Sequence, residues 1–594
     1  MNSLSVSGKS WVLKKYNQEN INFLKENFSL DEITSKLLSI REIKKEEISS
    51  FLNPSIKNFL PNPYKITDME KSTLRTTKAI YEKEKLGIFG DYDVDGATST
   101  ALLGNYFSQL NLIYETYIPD RKKEGYGPTI KSFKELIDKK VKVIFTVDCG
   151  TLSFEAINFA KENNVDVIVL DHHQSEVKLP NAFSVVNPNR LDDKSNLQYL
   201  CAAGVSFMFL VSLNRELRNK NWFQENNVKE PNLIEYLDLV SLGTVCDVVP
   251  LIGLNRAIVK QGLKVLKSKK NLGLKTLLDI CKIESSPSIY HLGYLLGPRI
   301  NAGGRVGKCS HGANLLLNKD PKYSFKLASE LDQFNNERQM LEKDLLKRIL
   351  IESKNSSDDP VLILSGKNWH EGVIGIVAAR LKDKFNKPVI LISLDGNVGK
   401  ASARSIVGFD IGSVIIAATQ AKILLKGGGH KMAGGFSIQI KNINTFKDFV
   451  LKKFRSVNED LKTERPLLLD SIIAPSAVNL EFYNKVELLS PFGSGNPEPK
   501  FIIEDVKTIN GKIVGEKHVK SILIGKDGST IKSIAFNATE NVLGAYLLKK
   551  NNKSFNIAGK LSLNEWKGQS NVEFIIDDIS VNKTFKNTVP SSIG

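Results

Sequence analysis

Short apolar runs alternate with stretches of helical spacing in the first third of the chain. Residues 86–89, 141–147 and 165–170 are mostly apolar runs with the length and β-branched content of buried strands. Residues 98–110 and 154–163 lie between or beside these runs and have helical periodicity. This alternation is typical of a parallel sheet covered by helices, so the pattern predicts an α/β domain.

The middle of the chain has a different pattern. Residues 199–356 are mostly of helical character. The last part of this stretch carries apolar residues at helical spacing on one face, namely Leu331, Phe334, Leu341, Leu345 and Ile349. A second α/β pattern begins at residue 360 and continues to about residue 455.

The pattern becomes β-rich after residue 466. Five short strands are predicted there, with a helix-like insert at 539–548 between the third and the fourth; the strands are 501–506, 521–524, 531–536, 555–563 and 572–579. Five strands with a helix at that position resemble an OB-fold, a barrel that often binds single-stranded nucleic acid.

Acidic and imidazole side chains follow the three predicted strands of the first domain. Asp91, Asp93 and Asp95 follow the first strand, Asp148 follows the second, and the triplet Asp-His-His at 171–173 follows the third. The carboxyl ends of parallel strands meet at one edge of a sheet, so these groups are expected to lie together. Carboxylate oxygens and imidazole suit Mn²⁺ or Mg²⁺, and the pattern therefore predicts a metal site.

The acidic motif at 91–96 has two other interpretations. A calcium-binding EF-hand loop also begins with alternating Asp residues, but it requires Glu at its twelfth position, which here is Leu102. An Asp at the end of a strand can also cap the following helix. Capping explains any one of the acids, but it does not explain the whole set together with two adjacent histidines.

Charge and cysteine content narrow the class of protein. The chain has 82 Lys and Arg against 65 Asp and Glu, a net charge of +17, which favours a polyanionic partner, although Lys/Asn-rich surface stretches could produce the same excess. Five scattered cysteines without a Cys-x-x-Cys pair indicate neither a disulfide framework nor a zinc site. We find no signal-peptide core and no apolar run near twenty residues, and we expect a soluble cytoplasmic protein without a membrane partner.

The order of motifs resembles that of a known superfamily. DYDVDG at 91–96, VDCG at 147–150, DHH at 171–173 and GTVCD at 243–247 resemble the DHH phosphoesterases, and within them the RecJ family of single-stranded-DNA exonucleases. Further motifs follow in family order: GPRINAGGR at 297–305, WHEGVIG at 369–375, GGGH at 427–430 and PFGSGNP at 491–497. The resemblance extends over nearly the whole chain from about residue 51.

The resemblance implies an α/β fold with five parts. These are an N-terminal helical segment (1–75), a DHH catalytic domain with a parallel sheet (76–250), a helical region with a long connector helix (251–357), an α/β DHH-associated domain (358–458) and a C-terminal OB-fold that binds nucleic acid (459–585).

The resemblance also implies a site for two ions, Mn²⁺ or Mg²⁺. Asp148 would bridge both ions and take part in catalysis, Asp91 and Asp93 would hold one ion, and Asp95, His172 and Asp247 the other. The second histidine, His173, would face the substrate phosphate and stabilise charge or transfer a proton; the alternative is a hydrogen-bonding role behind the ligands.

A set of substrate-binding residues follows from the same resemblance. Arginine grips phosphate through two parallel hydrogen bonds, and helix N-termini and glycine backbones can also approach it. The predicted contacts are Arg121, Arg299, Arg305, His370, Ser402, Arg404, Gly428, Gly429 and His430. The alternatives are solvation or a carboxylate partner for each arginine, and a tight turn for the glycines.

We expect a metal-dependent exonuclease that degrades single-stranded DNA from the 5′ end to mononucleotides, in DNA repair and recombination. The chain has no P-loop, since Ser3 stands where the motif before Gly8-Lys9-Ser10 needs glycine, so a helicase and a single-strand-binding protein are expected partners of a monomer. Two alternatives are a DHH phosphodiesterase of short oligonucleotides or cyclic dinucleotides, and an inactive single-strand-binding replication scaffold. The β-rich tail argues against the first, and the complete ligand set against the second.

Overall fold

The computed structural model describes residues 4–352, 359–457, 466–549, 553–566 and 569–581. The chain divides into two compact units, and one of them is discontinuous. We call Met1–Pro61, Val248–Lys264 and Glu464–Gly594 the barrel unit, and Asn62–Asp247 with Val265–Thr463 the two-sheet unit. The predicted domain limits at 357/358, 458/459 and 585 lie outside the described residues.

The strands are numbered in chain order: β1 (Ser10–Leu13), β2 (Leu86–Gly90), β3 (Tyr114–Tyr117), β4 (Val143–Val147), β5 (Asp166–Leu170), β6 (Ser184–Val186), β7 (Leu362–Lys367), β8 (Val389–Asp395), β9 (Val398–Arg404), β10 (Lys426–His430), β11 (Ala433–Gln439), β12 (Pro466–Leu469), β13 (Ser471–Ile472), β14 (Phe501–Val514), β15 (His518–Ile524), β16 (Thr530–Ala535), β17 (Phe555–Trp566) and β18 (Gln569–Ser580).

The α-helices are numbered in the same way: α1 (Gln18–Phe28), α2 (Glu32–Ile40), α3 (Ile48–Leu52), α4 (Ile56–Phe59), α5 (Met69–Tyr81), α6 (Val94–Gln109), α7 (Ile130–Asp138), α8 (Phe154–Glu162), α9 (Ala202–Asn219), α10 (Trp222–Glu225), α11 (Leu237–Cys246), α12 (Gly253–Lys267), α13 (Leu272–Ile280), α14 (Gly297–Val306), α15 (His311–Leu317), α16 (Pro321–Glu352), α17 (Glu371–Phe385), α18 (Ile411–Gln420), α19 (Ile443–Val457), α20 (Leu480–Glu487) and α21 (Val542–Leu548).

The first sheet of the two-sheet unit is parallel throughout, with strand order β3-β2-β4-β5-β6. Every residue of β2 and β4 is buried, because helices cover both faces of the sheet. All five strands point the same way, so the loops after β2, β4 and β5 leave the sheet at the same edge. The predicted parallel sheet is confirmed.

The region after this sheet is helical, as predicted, from α9 to α16. The connector helix α16 is 32 residues long and buries Leu331, Leu345 and Ile349 of the predicted apolar face. A π-helical segment, His291–Leu296, runs directly into α14, which carries the Gly-Pro-Arg motif.

The second sheet is mixed, with strand order β10-β11-β9-β8-β7. Only β7 and β8 are parallel, and the other pairs are antiparallel. Its core includes Ile390, Ala403, Ile415 and Phe446, all fully buried. This sheet follows α16 and gives the predicted second α/β domain.

The barrel unit contains a closed five-stranded barrel. Its strand order is β14-β15-β16-β18-β17, and β17 pairs back with β14, which closes the barrel. Helix α21 lies between the third and fourth barrel strands, where the sequence pattern predicts a helix, so the OB-fold is confirmed. The N-terminal helices complete this core, since Leu24 and Leu37 share one buried cluster with Phe501.

A buried arginine joins the three chain segments of the barrel unit. Arg256 is only 1% exposed, and its guanidinium donates to the carbonyl oxygens of Phe51 (2.9 Å), Leu489 (2.8 Å), Ser490 (2.6 Å) and Pro491 (3.2 Å). The guanidinium also lies over the Phe51 ring, 3.9 Å from its centroid. Burial lowers the pKa of Arg256 to about 9, which still leaves it charged at neutral pH. The charge is retained because carbonyl dipoles replace the lost water.

Among the described residues, we find no helix that is long and apolar enough to span a bilayer.

Candidate active site

The loop after β2 delivers three carboxylates to the sheet edge. Asp93 is the N-cap of α6 and accepts a hydrogen bond from the backbone N–H of Gly96 at 3.0 Å, so it does cap a helix, as one interpretation of the sequence requires. Asp95 accepts hydrogen bonds from Ala202 N (2.6 Å) and Ala203 N (2.9 Å) at the start of α9. A carboxylate oxygen has more than one acceptor position, so these bonds fix the carboxylates and leave capacity for a cation.

Asp148 occupies a strained backbone position directly after β4. Its φ is +62°, a left-handed conformation that is uncommon for a residue other than glycine. The backbone N–H of Asp148 donates to Leu170 O at 3.1 Å, and its carbonyl accepts from the Tyr126 hydroxyl at 2.9 Å. Strain of this kind persists when surrounding contacts hold it, and it is most frequent at functional sites.

The two histidines after β5 have different environments. The His172 side chain is 13% exposed and the His173 side chain 46% exposed. Asp171 orients His173, because its carboxylate lies 2.8 Å from His173 Nδ1. Burial alone would lower the pKa of His173, but the hydrogen bond and charge of Asp171 raise it to about 9. The same contact lowers the pKa of Asp171 despite its burial.

The carboxylates and His172 converge on one point. His172 Nε2 lies 3.2 Å from Asp148 Oδ1 and 3.8 Å from Asp95 Oδ2, and His172 Nδ1 lies 3.6 Å from Asp247 Oδ2. Three sets of ligand atoms lie within 4.8 Å of one another: Asp91, Asp93 and Asp148; Asp95, His172 and Asp247; and Asp148, His172 and His173. The first two sets match the predicted division between two ions, with Asp148 adjacent to both.

The electrostatics of this cluster suit divalent cations. Burial raises the pKa of Asp148 well above its usual range, and repulsion from Asp93, Asp95 and Asp91 raises it further. Burial raises the pKa of Asp247 to about 8 in the same way. Among the described residues, no lysine or arginine forms an ion pair with these five acids. Divalent ions would supply the missing positive charge, so the residues present fit a two-ion site.

A cationic cavity lies beside the acidic cluster. Its volume is about 480 Å³, and it is lined by the loop after β3, by α14 and α17, and by strands β9, β10 and β11 of the second sheet. Four of the predicted substrate contacts line it, namely Arg121, Arg305, Ser402 and Arg404. Its lining has six basic side chains and one acidic side chain, Glu371, which is paired with Lys400 at 2.9 Å.

The three cavity arginines have no carboxylate partner among the described residues. Arg305 donates only to Gly372 O (3.2 Å), and Arg404 donates to Ser402 Oγ (3.2 Å) and Ala403 O (2.8 Å). Burial, together with the charges of Arg121, Arg338 and Arg404, lowers the pKa of Arg305 to about 10. Such a cluster requires anions from outside the chain, and phosphate oxygens have the right geometry.

Tyr92 contacts the cavity lining and is the chain neighbour of two candidate ligands. The residue stands between Asp91 and Asp93, and its ring faces the Arg121 guanidinium, 5.4 Å from the ring centroid. A side chain in place of Gly304 would meet the Tyr92 ring at 2.8 Å, so the close approach of α14 requires glycine here. Tyr92 therefore connects the cavity lining with the acidic cluster.

The structure places two other predicted contacts outside the cavity lining. Arg299 forms an ion pair with Asp332 on α16 at 2.8 Å and donates to Leu295 O, which is the carboxylate-pair alternative. His370 is the N-cap of α17, and its Nδ1 accepts from Gly372 N at 3.1 Å. Their role in substrate binding stays a prediction.

The glycine run forms a strand and not a turn. Gly428, Gly429 and His430 lie in β10, and all three are exposed. Within the run it is Gly427 that lines the cavity. A side chain on Gly429 would collide with Ala433 O at 2.4 Å, so this glycine serves the close pairing of β10 with β11.

Several residues that position the site were not identified as site residues from the sequence. Asp171 orients His173, and Tyr126 contacts both Asp148 O and His173 Nδ1 (3.2 Å). Asn187 Nδ2 donates to His173 O at 2.8 Å and so fixes the backbone of the Asp-His-His loop. Asp171 belongs to a recognised motif and could have been found, whereas the others depend on contacts between distant loops.

Comparisons with known proteins agree with this architecture. Residues 85–244 match the DHH family N-terminal domain, residues 358–456 the DHHA1 domain and residues 469–578 the RecJ OB domain. The single-stranded-DNA-specific exonuclease RecJ of Haemophilus influenzae is 32% identical to the chain over 543 residues, which cover 89% of this chain and 93% of that protein.

The chain belongs to the RecJ family. The Bacillus subtilis RecJ is 30% identical over 584 residues, covering 96% of this chain and 71% of that protein. A crystal structure of Thermus thermophilus RecJ in complex with Mn²⁺ matches 98% of this chain and 81% of that chain, with a TM-score of 0.80 and 26% identity. A Mg²⁺ complex of the same RecJ has a TM-score of 0.74 and 25% identity, covering 98% of this chain and 80% of that one.

Proposed function

We propose that this chain is a metal-dependent exonuclease that hydrolyses single-stranded DNA from the 5′ end and releases 5′-mononucleotides. The observation that carries the proposal is the pairing of two sites, the acidic cluster around Asp148 and the cationic cavity lined by Arg121, Arg305 and Arg404. RecJ relatives named single-stranded-DNA-specific exonucleases support the substrate. The RecJ structures with Mn²⁺ and Mg²⁺ support both ions as cofactors.

Asp91, Asp93, Asp95, Asp148, His172 and Asp247 would hold the two ions. Such ions lower the pKa of a bound water and neutralise charge on the attacking and leaving oxygens. Asp148 is the best-placed bridging residue, because it groups with Asp91 and Asp93 in one set and with His172, a ligand of the second group, in another. The strained backbone of Asp148 and its bond from Tyr126 keep that carboxylate in one position before substrate arrives.

His173 would act on the scissile phosphate through Nε2. Its Nδ1 is engaged by Asp171, so the proton that gives the ring its charge is available at the opposite nitrogen. Although burial disfavours the charged ring, the hydrogen bond and charge of Asp171 raise the pKa of His173 and so favour its protonated form. The imidazolium would stabilise negative charge on a phosphate oxygen and can supply a proton to the leaving oxygen.

The cationic cavity would bind the terminal 5′-phosphate. Its arginines have free N–H donors, and Gly375 leaves space beside them, since an added methyl group would lie 3.1 Å from Arg404 Nη2. The Tyr92 ring contacts Arg121 and approaches Gly304 in the lining of this cavity, and its neighbours Asp91 and Asp93 belong to the acidic cluster; that proximity supports release of single nucleotides. Binding of a terminal phosphate there would restrict cleavage to the strand end.

Further assignments follow from membership of the RecJ family. We propose that the OB-fold holds the DNA strand. Secondary contacts with the strand would come from His370, Arg299, Gly428, Gly429 and His430. The protein would work as a cytoplasmic monomer, together with a helicase and a single-strand-binding protein, in DNA repair and recombination. The division into parts at 1–75, 76–250, 251–357, 358–458 and 459–585 also remains a proposal, supported by the matched ranges 85–244, 358–456 and 469–578.

The decisive experiment compares labelled DNA substrates. Purified protein would be incubated with 5′-phosphorylated single strands labelled at either end and with matched blunt duplexes, in Mn²⁺, in Mg²⁺ and in chelator. We expect metal-dependent mononucleotide release from the 5′ end of single strands only. Shortening from the 3′ end would contradict the polarity, and binding without cleavage in either metal would favour the scaffold alternative. Cleavage restricted to very short oligonucleotides would favour a small-substrate phosphodiesterase.

A further inference from the structure

Two tyrosine rings stand stacked and exposed on the helix that leads to the cationic cavity. The rings of Tyr290 and Tyr294 are 5.3 Å apart at their centroids with an interplanar angle of 24°. Their residues are 59% and 71% exposed. Large aromatic side chains in a monomer are mostly buried, and an exposed parallel pair offers a flat face to another planar ring.

The backbone under these rings is unusual. Tyr294 lies within the π-helical segment His291–Leu296, and Tyr290 immediately precedes it. π-Helical turns are rare in proteins and occur frequently at functional sites. Nothing described covers the outward face of this turn, whereas Leu292 and Leu296 on its inner face are fully buried.

The inner face of this segment packs against the end of α11, next to a candidate metal ligand. Cys246 Sγ lies 3.5 Å from Leu292 O, and an added methyl group on Gly293 would lie 3.5 Å from Val245. Asp247, one of the predicted ligands, follows Cys246 directly. The segment that carries the tyrosine pair therefore packs against the C-terminal end of α11, and Asp247 of the acidic cluster follows that end directly.

The same helix reaches the cationic cavity at its other end. Tyr294 and Arg305 are eleven residues apart, or about three turns and about 16 Å along a helix, and therefore lie on the same side. The positions between them on that side, Pro298 and Asn301, are half-buried, whereas Ile300 on the opposite side is buried. A partly open stripe thus runs from the tyrosine pair to the cavity.

We propose that Tyr290 and Tyr294 form a stacking platform for a base of the single strand near its 5′ end. This inference rests on the proposed function, because it takes the cavity as the site of the terminal phosphate. A stacked strand advances 3.4 Å per nucleotide, so 16 Å corresponds to at most about five nucleotides from that end. Every base has a π-face, so such a platform is tolerant of sequence.

A platform of this kind also contributes to discrimination between single strands and duplexes. Bases within a duplex already stack on their neighbours and would have to leave the stack to reach an external ring. An unpaired strand can present a base at much lower cost. The tyrosine pair would therefore add affinity for single strands and little for duplexes.

The test compares Tyr290→Ala, Tyr294→Ala and the double alanine variant with the double phenylalanine variant. Binding of a long 5′-phosphorylated single strand would be measured by fluorescence anisotropy in chelator, and kcat/KM would be measured with Mn²⁺ for the same strand and for a dinucleotide. We expect the double alanine variant to bind the long strand about tenfold more weakly or worse. The phenylalanine variant should bind like wild type, because the ring and not the hydroxyl makes the contact. Cleavage of the dinucleotide should be unchanged in all variants, and thermal unfolding checks that they are folded.

A strand with one abasic site locates the contact. If the abasic site occupies the nucleotide that meets the platform, alanine substitution should cause no further loss of affinity, and this position should fall within the first five or so nucleotides. Unchanged affinity of the double alanine variant, an equal loss for the dinucleotide, or equal behaviour of the phenylalanine and alanine variants would overturn the platform. If wild-type protein itself neither binds nor cleaves single strands from the 5′ end, it is the proposed function that fails.

Discussion

Removal of one cavity arginine gives a direct measure of recognition of the strand end. Arg404 donates to Ser402 Oγ and Ala403 O through Nη1, so its Nε and Nη2 groups remain available to a ligand. A hydrogen bond to a charged group contributes about 1.5–3 kcal/mol. At about 1.4 kcal/mol per factor of ten, Arg404→Ala should weaken binding of a 5′-phosphate by about ten- to a hundredfold.

The assay is the ratio of kcat/KM for 5′-phosphorylated and 5′-hydroxyl strands of the same sequence. Arg404→Ala should reduce this ratio strongly, and Arg404→Lys should reduce it less, because lysine keeps the charge but loses the planar fork. Arg299→Ala is the matched control, since Arg299 is paired with Asp332 and does not line the cavity. An unchanged ratio in Arg404→Ala, or an equal fall in Arg299→Ala, would refute the assignment of the cavity.

Three further changes test other parts of the molecule. Asp148→Ala should abolish nucleotide release but leave single-strand binding in anisotropy largely intact; substantial residual cleavage would contradict its bridging role. Arg256→Ala should lower the free energy of unfolding of the barrel unit by about 2–6 kcal/mol, measured by urea unfolding. The reason is that the carbonyls of Phe51 and Ser490 would each lose a hydrogen-bond donor, at a cost of about 1–3 kcal/mol each. A loss under 1 kcal/mol would contradict this. Burial raises the pKa of Asp238 to about 7, so the folded state keeps a proton that the unfolded chain releases near 3.8, and stability should fall as pH rises between these values. Asp238→Asn should make this fall smaller, as measured by Tm from pH 4 to 8, while the part that comes from Asp148 and Asp247, whose pKa values are also raised, should remain. An unchanged pH profile would show that Asp238 does not contribute to it.

Local sequence patterns were sufficient to predict the parallel sheet and the placement of Asp93, Asp148 and His172 at one of its edges. Continuous apolar runs identify β2, β4 and β5, and parallel strands necessarily place their following residues at one sheet edge. The convergence of Asp93, Asp148 and His172 therefore follows from the sheet topology once the strands are assigned. The barrel was predictable for a similar reason, since its strands alternate buried and exposed residues and follow one another in the chain.

Contacts between distant segments were not predictable in this way. Arg299 has its partner, Asp332, on another helix, and no periodicity indicates which acid an arginine will meet. The glycine run containing Gly428 lies in a strand because β11 approaches it closely, a tertiary cause that outweighs the usual turn preference of glycine. The inclusion of residues 248–264 in the barrel unit depends likewise on Arg256, whose carbonyl acceptors lie over 200 residues away in both directions.

The discontinuous barrel unit has a consequence for synthesis on the ribosome. Its first segment contains the strand β1 and is translated before the two-sheet unit. The partner of β1 is β12, with Ser10 paired with Pro466, and β12 is translated only after that unit. The N-terminal helices therefore cannot complete their hydrophobic core until the barrel strands have been made, and Leu24 and Leu37 stay uncovered until then. The two-sheet unit has all its residues available earlier and can fold first. During synthesis, residues 10–40 therefore stay without their packing partners until residues 466–580 have been made, although the residues between them can already have folded.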